Sequence, residues 1–214
     1  MATAPRSPVV FNASKGEAFT PASGYKAWRR RLRGNWKVLS LRKEITSEKL
    51  LGVKLWITAG PREKFSAAEL LVLKKFLEDG GAILVMLSEG GESRSGTNIN
   101  FLLEDYGIVF NNDAVVRNVY YKYHHPKEAL ISDGVLNRGI SEAARKTVLG
   151  AAGEDGKGRD SQHLRSGCVF CRALTFVYPF GATLNVMKPA VAVLSTGSVC
   201  FPLNRPILAF YQHE

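Results

Sequence analysis

The strand, helix and strand predicted between residues 53 and 87 constrain the fold of this chain more than any other feature. Ser66 and Glu69 form an S-x-x-E capping box, which marks the first turn of a helix, and Gly80-Gly81 marks its end. Apolar runs at residues 53–58 and 82–87 flank the helix, and the second is typical of a strand buried in a parallel sheet. Strand, helix and strand form the βαβ unit, so the sequence predicts an α/β domain.

The same alternation begins upstream and changes character downstream. Val9-Val10-Phe11 predicts a first strand, Thr20-Pro21 the start of a basic helix, and residues 36–39 a second strand. β-Branched and aromatic residues predict further strands at residues 114–125, 174–178, 190–194 and 207–211. We therefore expect one sheet domain over residues 1–214, parallel in its first half and β-rich in its second. The 45% apolar and 22% charged content agrees with a folded domain.

Residues 150–172 interrupt this pattern. Five glycines and alternating charges leave little apolar surface to bury between residues 150 and 167, which predicts a mobile insert. Cys168 and Cys171 have the spacing of half a zinc site, but a second pair is missing, so we expect incidental thiols and no metal. With Cys200 the chain has three cysteines, a number that argues against a secreted disulfide framework.

A basic stretch is the most unusual feature of the composition. Eight positive residues and no acidic one lie between residues 25 and 43, in a chain of net charge +10. At helical spacing Lys26, Arg30 and Arg33 share one flank, which leaves Tyr25 and Trp28 to pack inward. Three interpretations stay open: a solvated helix face, a docking site for an acidic protein surface, and a nucleic-acid site. No zinc-finger or RNA-recognition motif supports the third, so we expect no nucleic-acid partner.

The loop that follows residues 82–87 lies where open α/β sheets bind ligands. Ser88, Glu89, Gly90 and Gly91 begin this glycine-rich segment, which extends to residue 96. A serine nucleophile needs glycine two positions earlier, where Met86 stands, and no phosphate-binding glycine motif is present. The pattern favours a flexible connection without catalytic residues or cofactor, and binding of a small ligand is the alternative.

Two more features bear on function. His124 and His125 are adjacent at the end of a predicted strand, so their side chains point to opposite faces and do not chelate together. No apolar run approaches the roughly 18 residues of a membrane-spanning helix, and residues 1–8 lack the apolar centre of a secretory signal. We expect a cytosolic protein with no membrane partner.

Longer strings are more specific than any of these short motifs. They lie at residues 60–66, 88–92, 121–138, 174–184 and 188–210 and include HPKEAL, LTFVYPFGATL, LSTGS and PLNRP. With these strings, which extend over nearly the whole chain, the protein resembles the GIFT-domain family of intraflagellar transport. Residues 153–172 depart from the family pattern, and the family continues beyond Glu214, so we expect a fragment of a longer chain.

The resemblance implies a Rossmann-like fold, a mostly parallel mixed sheet with helices on both faces, related to bacterial gliding-transporter and amidotransferase-like domains but without known catalysis. It also implies a scaffold or adaptor in the intraflagellar transport B core, needed for anterograde transport and cilium assembly. Its partners would be other B subunits, with acidic tubulin surfaces as a further candidate, in the cilium or flagellum, the basal body and the cytoplasm. A sugar or amidotransferase-like ligand at residues 88–96 is the alternative.

Overall fold

A parallel sheet forms the first half of the molecule. The computed structural model describes residues 6–119, 122, 125–137, 139–140 and 174–212. Four parallel strands lie in the order β2-β1-β3-β4, so the first strand of the chain lies between the next two. Their bounds are β1 Pro8–Asn12, β2 Lys37–Leu41, β3 Leu55–Ala59 and β4 Ala82–Met86. The predicted parallel first half is confirmed.

Alternating side chains give this sheet two apolar faces. Val9, Phe11 and Ile57 lie in one buried cluster, and Val10 and Trp56 lie in another. Successive side chains of a strand point to opposite faces, so each face needs its own cover. One helix covers the first face and two helices cover the second: α1 Lys26–Leu32, then α2 Ser47–Leu50 and α3 Ala67–Glu78.

Helix α3 begins where the capping box predicts. The Ser66 hydroxyl accepts from the Glu69 N–H, and the Glu69 carboxylate accepts from the Ser66 N–H. Leu73 and Phe76 are buried against the sheet. The following strand, β4, is only half-buried although its residues are apolar, because it ends the strand order. The expectation of a strand buried on both sides is therefore wrong for β4.

The start of α1 also differs from the prediction. Thr20 and Pro21 belong to a turn, in which the Thr20 carbonyl accepts from the N–H groups of Ser23 and Tyr25. The helix begins only at Lys26. Proline fits the first helical position and also a turn, and here the bond between Ser23 and Thr20 selects the turn.

The second half consists of short antiparallel pairs. Two short helices and a 3₁₀ turn lead into it: α4 Gly91–Ser95, α5 Asn100–Leu103 and Glu104–Tyr106. The pairs are β5 with β9, β6 with β11, β7 with β8 and β10 with β12. Their bounds are β5 Ile108–Phe110, β6 Val116–Arg117, β7 Glu128–Ile131, β8 Phe176–Pro179, β9 Leu184–Val186, β10 Val191–Ser195, β11 Cys200–Phe201 and β12 Pro206–Phe210.

A separate apolar cluster lies under these strands and contains Val115, Ala129, Ile131, Cys200 and Ile207. Between residues 114 and 125 the described strand is limited to Val116–Arg117, so the long strand predicted there is wrong over its described part. The insert predicted at residues 150–172 lies outside the described residues. In the part of the chain that the structure describes, no helix has the length and apolarity to cross a bilayer.

Candidate functional site

Helix α1 presents a basic surface to solvent. Tyr25 and Trp28 pack toward the sheet, and the Trp28 ring meets Phe11 edge-on at 5.3 Å between centroids. With that side held by aromatic contacts, Lys26 and Arg30 lie exposed. The inward packing predicted from the spacing agrees with these contacts.

Arg33 follows α1 as its C-terminal cap and is also exposed. The backbone carbonyl of Arg33 accepts a hydrogen bond of 2.7 Å from Arg6, which brings a further cation to this end of the helix. Among the described residues, none of Lys26, Arg30 and Arg33 lies within 4.0 Å of a carboxylate. Their charges remain available to an external acidic group.

The loop after β4 is anchored by Glu89, whose side chain is buried. Its carboxylate forms an ion pair with Arg94 and another, at 2.6 Å, with Lys127 of the second half. The hydrogen bond from Lys127 holds the pKa of the Glu89 carboxyl below its usual range, and Arg94 acts in the same direction. This carboxylate therefore links the two halves, and a ligand would have to compete with two cations for it.

Backbone contacts hold the same loop against the second half. The N–H of Glu89 donates to the Phe180 carbonyl at 2.8 Å, and the N–H of Gly90 donates to the Asp113 carbonyl at 2.7 Å. Gly91 has φ +51°, and a Cβ there would meet the Asn111 carbonyl, so glycine is required. Ser88 is exposed at the start of the loop. Binding of a ligand by Ser88, Glu89, Gly90 and Gly91 stays a prediction.

The other candidates from the sequence are only partly described. His125 is exposed, its Nδ1 accepts from the Lys127 N–H at 3.1 Å, and its ring lies 4.9 Å from that of Phe180. Cys200 is buried, which raises the pKa of its thiol. His124, Cys168 and Cys171 lie outside the described residues. Within the described ranges, no three His, Cys, Asp or Glu side chains are arranged to hold a metal ion.

A buried polar cluster at the carboxyl ends of β1 and β3 is absent from the sequence-based predictions. Glu17 accepts hydrogen bonds from the side chains of Asn12 and Thr58 and from the Lys15 N–H, and burial raises the pKa of its carboxyl. Asn12 is the last residue of β1 and Thr58 the next-to-last residue of β3, and each is the polar residue of an otherwise apolar strand, which is the one local sign of this cluster. Their partner Glu17 lies in a loop that no motif marks.

Lys15 also closes one side of a shallow cavity of about 650 Å³ beside α2 and α3. Its ammonium lies 2.7 Å from the Glu69 carboxylate. Burial alone would raise the pKa of Glu69, but the hydrogen bonds from Lys15 and the Ser66 N–H lower it on balance. Glu69 is thus both the second half of the α3 cap and a lining residue of this cavity.

Comparisons with known proteins agree with the architecture. The family model for the IFT52 GIFT domain matches residues 8–214. Over 209 residues the chain is 71% identical to a mouse protein named intraflagellar transport protein 52 homolog and 68% identical to the human protein of the same name. These alignments cover 98% of this chain but 47% and 46% of the relatives, so the chain spans about half their length.

A solved structure described as the mmIFT52 N-terminal domain has the same fold. It superposes with a TM-score of 0.82 at 67% sequence identity. The match covers 97% of this chain and 81% of that one. The α/β class, with a parallel first half and a β-rich second half, is confirmed.

Proposed function

The chain belongs to the IFT52 GIFT domain family, and from that premise we propose that it is a non-catalytic scaffold domain of the intraflagellar transport B core complex, acting by protein–protein docking. In this proposal residues 1–214 form one GIFT domain of a longer protein. The domain serves anterograde transport and cilium assembly, in the cilium or flagellum, at the basal body and in the cytoplasm.

The observation that carries the docking mechanism is the exposed basic surface of Lys26, Arg30 and Arg33. The aromatic contacts of α1 hold its backbone on the sheet, so the three charges start from fixed backbone positions. Within the described chain, no carboxylate lies within 4.0 Å of them. A positive surface of this kind attracts an acidic partner and accelerates association. We propose that acidic surfaces of other B subunits bind there, and acidic tubulin tails are a further candidate.

Charge reversal tests this mechanism. We expect Lys26→Glu with Arg30→Glu and Arg33→Glu to weaken binding to a B subunit about tenfold at low salt, since three exposed ion pairs together contribute about 1.4 kcal/mol. Purified chain and each purified B subunit are measured in turn by biolayer interferometry. The matched control reverses three exposed cations elsewhere, Arg62→Glu, Lys64→Glu and Lys75→Glu. Unchanged binding of the triple variant at low salt rejects docking through this surface.

Two alternatives predict different results. A nucleic-acid site predicts affinity for an oligonucleotide that falls steeply and linearly with the logarithm of salt concentration. A small-ligand site at residues 88–96 predicts that a sugar raises the melting temperature and that Glu89→Gln removes this shift. The two cations on Glu89 argue against a free ligand-binding carboxylate. No cofactor and no catalytic step belong to the proposal.

A further inference from the structure

A groove of about 880 Å³ lies at the amino ends of the first three strands, and Lys37, Val38 and Leu39 of the edge strand β2 line part of it. Strand β2 ends the order β2-β1-β3-β4, and within the described ranges β1 alone pairs with it. An edge strand presents N–H and C=O groups to which another strand can bind.

The register shows which peptide groups point outward. The Lys37 N–H donates to the Ser7 carbonyl, and the Leu41 carbonyl accepts from the Ala13 N–H, both toward the β1 side. In a parallel pair, alternate residues of a strand bond to the same neighbour. The peptide groups between them that face away from β1 are therefore those of residues 38 and 40.

The groove is positively charged. Four of its lining residues are cations, Arg6, Arg33, Lys37 and Lys49, and none of the described residues that line it is acidic. Arg6 donates to the Arg33 carbonyl and Lys49 to the Glu44 carbonyl, each at 2.7 Å. Both acceptors are neutral, so these bonds orient the two cations without compensating their charge.

Apolar side chains lie between these cations. Trp36, Leu39 and Leu51 line the groove with 37%, 40% and 86% of their surface exposed. Leu51 directly follows α2, whose Leu50 is buried in the sheet core. The edge therefore combines open peptide groups, uncompensated cations and exposed apolar surface.

We infer that the β2 edge binds an extended acidic segment of a partner protein, which adds to the sheet as a further strand. Main-chain hydrogen bonds to residues 38 and 40 give affinity in this mode, and side-chain contacts give specificity. Carboxylates on one side of the segment meet Arg6 and Arg33 at the end of α1, and alternate apolar side chains on its other side cover Leu39 and Leu51. The inference rests on the proposed function, because it names the chemistry of a docking partner; Arg33 belongs to both surfaces.

A nucleic acid satisfies fewer of these features. Its phosphates would meet the cations, but it cannot pair with the peptide groups of a strand edge in a ladder, and Leu39 and Leu51 offer no stacking surface. We therefore commit to a polypeptide. Displacement of the peptide probe described below by a single-stranded oligonucleotide at equal concentration would overturn this choice.

The first test uses a fluorescein-labelled peptide of about eight residues in which glutamate alternates with valine. We expect fluorescence anisotropy to show saturable binding to the 214-residue chain, and no binding of a matched peptide with lysine for glutamate. Proline at an outward-facing edge position removes the N–H donor and blocks a neighbouring strand. Ser40→Pro is expected to weaken binding at least tenfold, while its control Ser40→Ala leaves binding within twofold.

A second set of measurements separates the contribution of charge to peptide binding from that of strand pairing. Arg6→Glu is expected to weaken binding of the glutamate peptide about fivefold and to make the remaining affinity less sensitive to salt. A peptide methylated on alternate backbone nitrogens keeps its side chains but cannot form the ladder. Two such peptides are made, one methylated on the odd-numbered nitrogens and the other on the even-numbered ones. At least one of them should fail to bind, and this measurement remains informative even if Ser40→Pro does not fold. Equal binding of methylated and unmethylated peptides overturns strand addition.

Failure of the edge inference and failure of the proposed function give different results. If the glutamate peptide does not bind while B subunits still bind through Lys26 and Arg30, the edge inference is wrong and the proposed function stands. If the peptide binds with the expected dependence on Ser40 and Arg6 but no B subunit binds the chain, the edge inference is supported and the proposed function is wrong.

Discussion

The two halves of the molecule obtain their structure in different ways. The first half is one parallel sheet whose alternating side chains fill two apolar layers, around Trp56 on one face and Phe11 on the other. In the described part of the second half, four two-stranded pairs lie over a smaller core. Polar side chains join its distant segments, as Asp113 does by accepting from the N–H and hydroxyl of Thr183. Loss of packing should therefore damage the first half most, and loss of single hydrogen bonds the second.

The largest effect is expected for Trp56→Ala. Trp56 is fully buried on β3, and removal of a large aromatic side chain from a core costs about 3–5 kcal/mol. The matched control in the second half is Val177→Ala on β8, whose side chain is 58% exposed and should cost less than about 0.5 kcal/mol. Urea unfolding followed by far-ultraviolet circular dichroism measures both. Equal losses would mean that Trp56 does not contribute more packing than an exposed residue of the second half.

Asp113→Ala is expected to have the next largest effect, about 1–3 kcal/mol, because it leaves the buried Thr183 N–H and hydroxyl without this acceptor. Asp113→Asn keeps one carbonyl oxygen and should lose less. In a double-mutant cycle with Thr183→Val, urea unfolding should show that the double variant loses less than the sum of the single variants. Additive losses would mean that this link does not hold the half together.

Glu89→Gln tests the connection between the halves and should cost about 1–2 kcal/mol near neutral pH, since two cations lose a charged acceptor. The folded-state pKa of Glu89 is lowered, so its contribution is present above the unfolded pKa and is lost as pH falls through the folded value. Urea midpoints at several pH values should show this loss in the original chain and not in the variant. Glu104→Gln, an exposed control, should leave the urea midpoint near neutral pH almost unchanged.

The smallest effect concerns Glu17, whose pH dependence has the opposite sign. Burial raises the folded-state pKa of Glu17, so its contribution is present below the unfolded pKa and is lost as pH rises through the folded value. In Glu17→Gln, the urea midpoint should fall less steeply with rising pH just above 4.5, the ordinary pKa of glutamate. The same urea series measures it, and an unchanged slope would mean that Glu17 titrates like an exposed glutamate.

Local patterns in the first half predicted most of its elements. The capping box of Ser66 and Glu69 lies within one helical turn, so it identifies the start of α3 without knowledge of the tertiary structure. Burial of β4 could not be predicted from its apolar residues, because position in the sheet is set by the order of strands. Thr20-Pro21 was ambiguous for a similar reason: a turn and a helix start use the same residue types.

Patterns in the second half predicted less. Strands β7, β9 and β11 are short, and no local run of residues marks them. β7 pairs with β8, from which it is separated by residues 132–175, so its partner cannot be deduced from its own sequence. The basic surface of α1 followed from helical spacing, whereas the ion pairs of Glu89 depend on Lys127, which the fold alone brings near.

The central place of β1 has a consequence for synthesis of the chain on the ribosome. β1 is the first described strand to emerge, yet both of its neighbours, β2 and β3, are translated after it. Its N–H and C=O groups therefore lack their strand partners while roughly the next fifty residues are translated. At about 5–20 residues per second, this interval lasts a few seconds. During that time an apolar segment containing Val9, Val10 and Phe11 is accessible to chaperones.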